Sequence, residues 1–217
     1  VVPRQELERA RAFEWPGEVI SEEVFLPAEL LEAADRFSSI GRRGWVVQQL
    51  IALYGTWRSE EAGVLVMNSD TTLTANKTWL TSSGVQTLSF SHEYHRPYEV
   101  HCQRVWGDRK RHLGLSYVTH YMLMQPEILK EMFPGISHLA AWARFGDLAE
   151  PSAVAEFHTY GRWINDNYPH RVKMSRWGNI AARLDDLEEV EPIRQVQEIK
   201  NRFPGILSVS DHSYLSG

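Results

Sequence analysis

Residues 63 to 74, GVLVMNSDTTLT, run apolar and then stop on three small polar side chains, Asn68, Ser69 and Asp70. In extended backbone, residues two apart share a side, so Asn68 and Asp70 can face one crevice while Ser69 faces elsewhere. An amide beside a carboxylate suits one hard divalent cation and one hydroxyl-rich ligand. Carboxylate oxygen binds Mg²⁺ or Mn²⁺, and such ions commonly take few protein ligands and complete their shell with substrate phosphates. The same residue types are ordinary turn formers, so their place in the fold decides between the two readings.

A second concentration of polar groups is SFSHEYHRPYEVH, which packs His92, Glu93, His95, Glu99 and His101 into a short segment. The two histidines of a zinc-protease helix stand four residues apart, whereas His92 and His95 stand three apart beside an apparent strand, so that chemistry does not fit. What fits is a polar loop at a strand end, or a substrate-facing rim of His92, Glu93, Tyr94 and His95, because such loops carry binding groups out of proportion to their length. Glu156 stands near the start of SAVAEFHTYGRWI, where the helix dipole favours an acid even without a catalytic duty. His212 follows Asp211 in SVSDHSYL, and a lone histidine is ordinarily a surface or packing residue. Of the eight tryptophans, Trp163 and Trp177 could stack on sugar faces, although most must be core or boundary residues.

These groups need a scaffold, and the pattern of the chain supplies one. GWVVQQLIALYGTW places Val46, Val47, Leu50, Ile51 and Tyr54 at helical spacing. GVLVM reads as a buried strand, VQTLSFS as another, and SYVTHYMLM as a third with alternating Tyr117, Thr119, Tyr121 and Leu123. QELERARAF is helical in composition and EVISEEVF reads as a strand or extended connection. RPYEVHCQRVW is a helix opened by Pro97, and PEILKEMF one with Pro126 in its first turn. SHLAAWARF and SAVAEFHTYGRWINDNY are helices with Ser137 and Ser152 as caps. HRVKMS is a short strand, EPIRQVQEIKNRF a helix stopped by Pro204 and Gly205, and ILSVSDHSYL a last strand. The alternation predicts an α/β fold with a mixed sheet and helices on its faces, and the NSD segment at the carboxyl end of a strand, where ligand crevices of open α/β sheets lie.

The 217 residues suffice for one domain with a sizeable core, so a single domain over 1–217 is expected. A net charge of -5 lacks the basic excess of a nucleic-acid binder. The one cysteine, Cys102, excludes an intramolecular disulfide and points to a reducing, cytoplasmic setting. No apolar stretch approaches the roughly 20 residues of a bilayer span, so no transmembrane segment is expected, and only peripheral membrane contact is left open. The chain opens on VVPRQEL without a methionine, and Val1 and Val2 read as the end of a strand whose beginning is missing.

Taken in order, GWVVQQLIAL, GVLVMNSDTTLT, SHEYHRPY, YVTHYMLMQPEIL, SAVAEFHTYGRWI and SVSDHSYL resemble a largely uncharacterised bacterial family of the GT-A glycosyltransferase-like superfamily. The resemblance implies a GT-A-like (Rossmann-like) mixed central sheet and a metal-dependent glycosyltransferase. Such an enzyme moves a sugar from a nucleotide-diphosphate sugar to a carbohydrate or other hydroxyl acceptor. It implies that NSD occupies the place of the Asp-x-Asp motif, with Asn68, Ser69 and Asp70 on the donor and Asp70 on a divalent Mn or Mg ion. Asn68 departs from the pattern: an amide can bond a ribose hydroxyl but brings no charge to a cation. His212 resembles the C-terminal histidine that completes the metal site in several such families. Glu156 becomes the candidate catalytic base, and His92, Glu93, Tyr94, His95, His120 and Trp177 the candidate acceptor or sugar-binding surface. The alternatives are a noncatalytic nucleotide- or carbohydrate-binding protein on the same fold, and a metal-dependent hydrolase built on the His92 to His101 cluster.

Overall fold

The computed structural model describes residues 1–12, 17–91, 94–107, 114–187 and 192–211. Four helices come first: α1 (Leu7–Arg11), α2 (Glu22–Phe25), α3 (Ala28–Asp35) and α4 (Arg43–Trp57). Strands β1 (Val64–Met67), β2 (Thr71–Leu73) and β3 (Gln86–Phe90) follow, then α5 (Arg96–Trp106) and β4 (Tyr121–Met124). Helices α6 (Pro126–Met132), α7 (Ile136–Arg144) and α8 (Glu156–Asn167) precede β5 (Val172–Arg176), β6 (Asn179–Ala182), α9 (Pro192–Arg202) and β7 (Ser208–Asp211). The result is a mixed α/β domain.

Helix α4 is the axis of the core. Its sequence stripe predicts one apolar face, yet Val46, Val47, Gln49, Leu50, Ala52, Leu53 and Thr56 are all buried, because α3, α6, α7 and α8 pack around it. Full burial of side chains such as Leu50 and Leu53 stabilises the fold by about 1.5–3 kcal/mol each. Cys102 lies on the buried side of α5, at 1% exposure.

The strands do not form the one central sheet expected from the pattern. Among the described residues they form three small sheets: β1 antiparallel to β4, β3 parallel to β5, and β2-β7-β6. Side-chain amides span the gap between the first two. Gln86 donates to the Leu123 carbonyl at 3.1 Å, Gln125 donates to Gln86 Oε1 at 2.8 Å, and the Tyr160 hydroxyl reaches that same oxygen at 2.7 Å. All three residues are essentially inaccessible, so each polar atom must find a partner within the protein. The network also ties α8 to the strand layer.

Several local expectations are corrected. EVISEEVF is no strand: Ser21 makes an isolated bridge to Val2, after which α2 forms, with Glu22 held by Arg43 at 2.9 Å. β1 is only half buried: among the described residues β4 is its one partner, and Leu65 and Met67 face outward. The strand in SYVTHYMLM is confined to Tyr121–Met124, all four buried, because Thr119 folds back to donate to the Tyr121 carbonyl at 2.7 Å. Neither serine caps its helix: Gly135 precedes α7, and Pro151–Ala153 forms a separate 3-10 turn, so that α8 begins at Glu156. Helix α3 and strands β2 and β6 carry no pattern that the sequence reading picked up.

Candidate active-site cleft

Asn68, Ser69 and Asp70 leave the carboxyl end of β1, as their position in the sequence suggests. The Asn68 backbone N–H donates to the His120 carbonyl at 2.9 Å, continuing the β1–β4 pairing, and the backbone then turns into β2. A cleft of about 250 Å³ opens there, walled by Asn68 and Asp70, by Trp45, Gln48 and Gln49 of α4, by Tyr98 of α5, by Val118 to His120, and by Ala155 to Phe157 at the start of α8. A second chamber of about 460 Å³ shares Gln48, Asn68 and Glu156 with it and runs on past Ser69 over Val47, Ile51 and Val66. Asn68 to Asp70 form a turn rather than extended backbone, with the Thr71 N–H donating to the Asn68 carbonyl at 3.2 Å; Asp70 lines the smaller chamber, Ser69 the larger, and Asn68 both.

Glu156 is the first residue of α8, and only 6% of it is exposed. Its backbone N–H donates to Gln49 Oε1 at 3.2 Å, which fixes the helix start against α4. Burial pushes its carboxyl up to about 7, against the opposing pull of backbone N–H groups at the helix start. The group therefore sits near the point where it can take or release a proton at neutral pH.

On the other wall, Thr71 donates to Asp70 Oδ1 at 3.1 Å and stands 3.0 Å from Ser210 Oγ. His120 Nδ1 approaches both hydroxyls, and its ring lies tilted at 47° against Trp177, with centroids 5.0 Å apart. The Asp211 N–H donates to the Asp70 carbonyl at 2.8 Å, so β7 supports the site from behind. Tyr98 is held by its own helix: the adjacent Glu99 is buried between His158 Nε2, at 2.8 Å, and Arg162, which also bonds Asp166 at 2.5 Å. This charged cluster clamps α5, and with it Tyr98, to α8 and Glu156.

Of the residues singled out from sequence, Asn68, Asp70, His120 and Glu156 meet at one cleft. Trp177 reaches it through His120. Tyr94 is half exposed, and His95 turns to Ser152 Oγ at 3.0 Å and to the Tyr98 ring rather than lining the cleft. His92, Glu93 and His212 lie outside the described residues. Among the described residues no three His, Cys, Asp or Glu side chains gather to hold a metal ion. Sequence reading missed Trp45, Gln48, Gln49, Tyr98 and Thr119; the signal for two of them was the Gln-Gln pair inside the apolar run of α4. No described helix is long and apolar enough to cross a membrane. Compared with known proteins, the chain matches no protein-family profile, no curated protein and no solved structure.

Proposed function

We propose that the protein is a metal-dependent glycosyltransferase that moves a sugar from a nucleotide-diphosphate sugar to a hydroxyl acceptor. One observation carries this reading: Asp70, at the end of a strand, and Glu156, at the start of a distant helix, line the same cleft, with the carboxyl of Glu156 raised to about 7. The oxygen donors fit a hard cation. Asp70 offers a carboxylate and Asn68 an amide oxygen, so a divalent ion would rest on Asp70 and draw the rest of its shell from diphosphate and water. When bound, such an ion neutralises charge growing on the leaving diphosphate.

The chain's own groups supply the rest. The Glu156 carboxylate takes the proton of the acceptor hydroxyl as that oxygen bonds the anomeric carbon and the bond to diphosphate breaks. Gln49 keeps Glu156 in place by holding its backbone N–H. Trp45 and Tyr98 add aromatic surface to the cleft lining that a sugar ring could pack against.

The test is binding of a panel of nucleotide diphosphates and nucleotide sugars, by thermal shift and calorimetry, with Mn²⁺, with Mg²⁺ and with chelator. Metal-dependent binding of one nucleotide, lost at least tenfold in Asp70→Ala without loss of fold, is the expected result. Equal affinity in that variant removes Asp70 from the role. Because Asn68 brings no charge to a cation, a second reading is a noncatalytic nucleotide- or carbohydrate-binding protein. Binding without sugar release across a broad acceptor panel supports it, and release excludes it.

A further inference from the structure

Gln49 is a polar side chain set inside the apolar run of α4, and only 2% of it is exposed. It lines the cleft beside the start of α8. A side-chain amide has an accepting end and a donating end that exchange places by a half-turn, so its neighbours decide which way it faces. Here one neighbour decides. The Glu156 backbone N–H, 3.2 Å away, can only donate, and the atom that meets it is therefore Oε1.

The donating end is fixed by the same contact. Nε2 carries two protons, and among the described residues it makes no hydrogen bond. Buried polar groups are nearly always partnered, because a donor shut away from water without an acceptor costs its full desolvation. The partner of Nε2 has to come from the cleft, as an oxygen with a lone pair to offer. The lining narrows the kind of oxygen. Among the described residues it holds two carboxyls, Asp70 and Glu156, and no lysine or arginine. An anion set against Gln49 would face Glu156 with no lining cation to offset the repulsion, whereas a hydroxyl meets no such penalty.

We propose that Gln49 is a specificity residue, its Nε2 donating to a hydroxyl oxygen of the acceptor while Glu156 takes the proton of a second hydroxyl on the same molecule. The acceptor class is then an uncharged polyol such as a sugar or glycoside, rather than an alcohol with a single hydroxyl. The assignment rests on the sugar-transfer reading for the role of Glu156 and deepens it by naming the acceptor. The outward-facing amide nitrogen belongs to the cleft whichever reaction takes place there.

The test uses the full chain with chelator present, so that no metal takes part. Methyl glycosides of the common hexoses and pentoses are titrated while the nitrogen–proton signals of the Gln49 side-chain amide, identified by through-bond connection to the backbone, are followed. The expected result is that one glycoside shifts these signals, and that loss of one particular hydroxyl among its monodeoxy analogues weakens binding about tenfold. In Gln49→Met, which keeps the bulk of the side chain but has no proton to donate, that gap between glycoside and deoxy analogue closes. A Gln49 that only supports the fold would weaken both ligands alike and leave the gap open, which overturns the proposal. The wild-type spectra test it without any variant: a bound glycoside that leaves the Gln49 amide unmoved overturns it, as does a panel in which no glycoside binds. Inorganic phosphate at the same pH leaves the signals in place, and a phosphate-induced shift would overturn the choice of a hydroxyl. Failure of the nucleotide panel with the Gln49 coupling intact strikes the transfer reading alone, and an open gap in Gln49→Met with nucleotide binding intact strikes this proposal alone.

Discussion

Glu156 combines two demands that oppose each other. A buried carboxyl raised to about 7 from its ordinary 4.5 favours the folded chain only while it stays protonated. Its contribution is full below 4.5 and is lost as pH rises through about 7. A shift of that size corresponds to roughly 3 kcal/mol. Glu156→Gln is therefore expected to be more stable than the parent by up to about 3 kcal/mol above neutral pH, with the difference vanishing in acid. Urea denaturation at several pH values measures it, and a pH-independent difference would show that Glu156 is not held neutral by burial. The sequence revealed the position of this acid at a helix start but not its burial, because the covering groups Gln49 and Phe157 come from packing of α4 against α8. Asp70 was easier to place: an apolar run followed by small polar residues marks the strand end locally, without any distant partner.

At the level of elements, α8 depends on one close approach. A methyl group at Gly161 would stand 2.5 Å from Tyr117 Cγ and 2.6 Å from its Cβ, and Tyr117 is itself only 1% exposed. On an open helix, Gly→Ala stabilises by about 1 kcal/mol; against an immovable ring, overpacking costs about 1–3 kcal/mol. Gly161→Ala is expected to lose about 1–2 kcal/mol by chemical denaturation, and a variant more stable than the parent would mean that Tyr117 yields. Elements with strong local signals were legible: α4 from its apolar spacing, α6 from Pro126, and the end of α9 from Pro204 and Gly205. Those shaped by tertiary contacts were not. α2 was misread because EVISEEVF alternates, yet among the described residues its one strand-like pairing is the isolated Ser21–Val2 bridge, and Val24 stays 79% exposed. β6, with Asn179, Ile180 and two alanines, is a strand only because β7 pairs with it in parallel.

At the scale of the whole molecule, two hydrophobic clusters of unequal size stand out among the described residues. The larger gathers α3, α4, α6, α7 and α8 with strand residues such as Leu88 and Met124. The smaller consists of Leu184, Leu187, Ile199 and Val209, with Ala182, Phe203 and Ile206 against them. Opening free energy follows buried apolar contact, so the smaller unit is expected to open first. In hydrogen-exchange mass spectrometry, amides of β6, α9 and β7 should exchange before those of α4, α7 and α8; simultaneous exchange would show one cooperative unit. β7 carries Ser210 and the Asp211 amide behind Asp70, so early opening would also dismantle one wall of the cleft. A ligand bound there should slow exchange in the smaller unit. This coupling was not visible in the sequence, where Thr71, next to the NSD segment, and Ser210 of the last strand stand 139 residues apart.

The lone thiol turns burial into a clock. Cys102 sits on α5, one turn beyond Glu99 and on the side turned away from solvent. A maleimide dye must wait for that helix to lift before it can attach, so the labelling rate of the unaltered chain times the loosening of α5 at one defined atom. A molecule bridging Tyr98 and Glu156 would hold the helix down and lengthen that wait, giving a screen for ligands that requires no knowledge of the reaction.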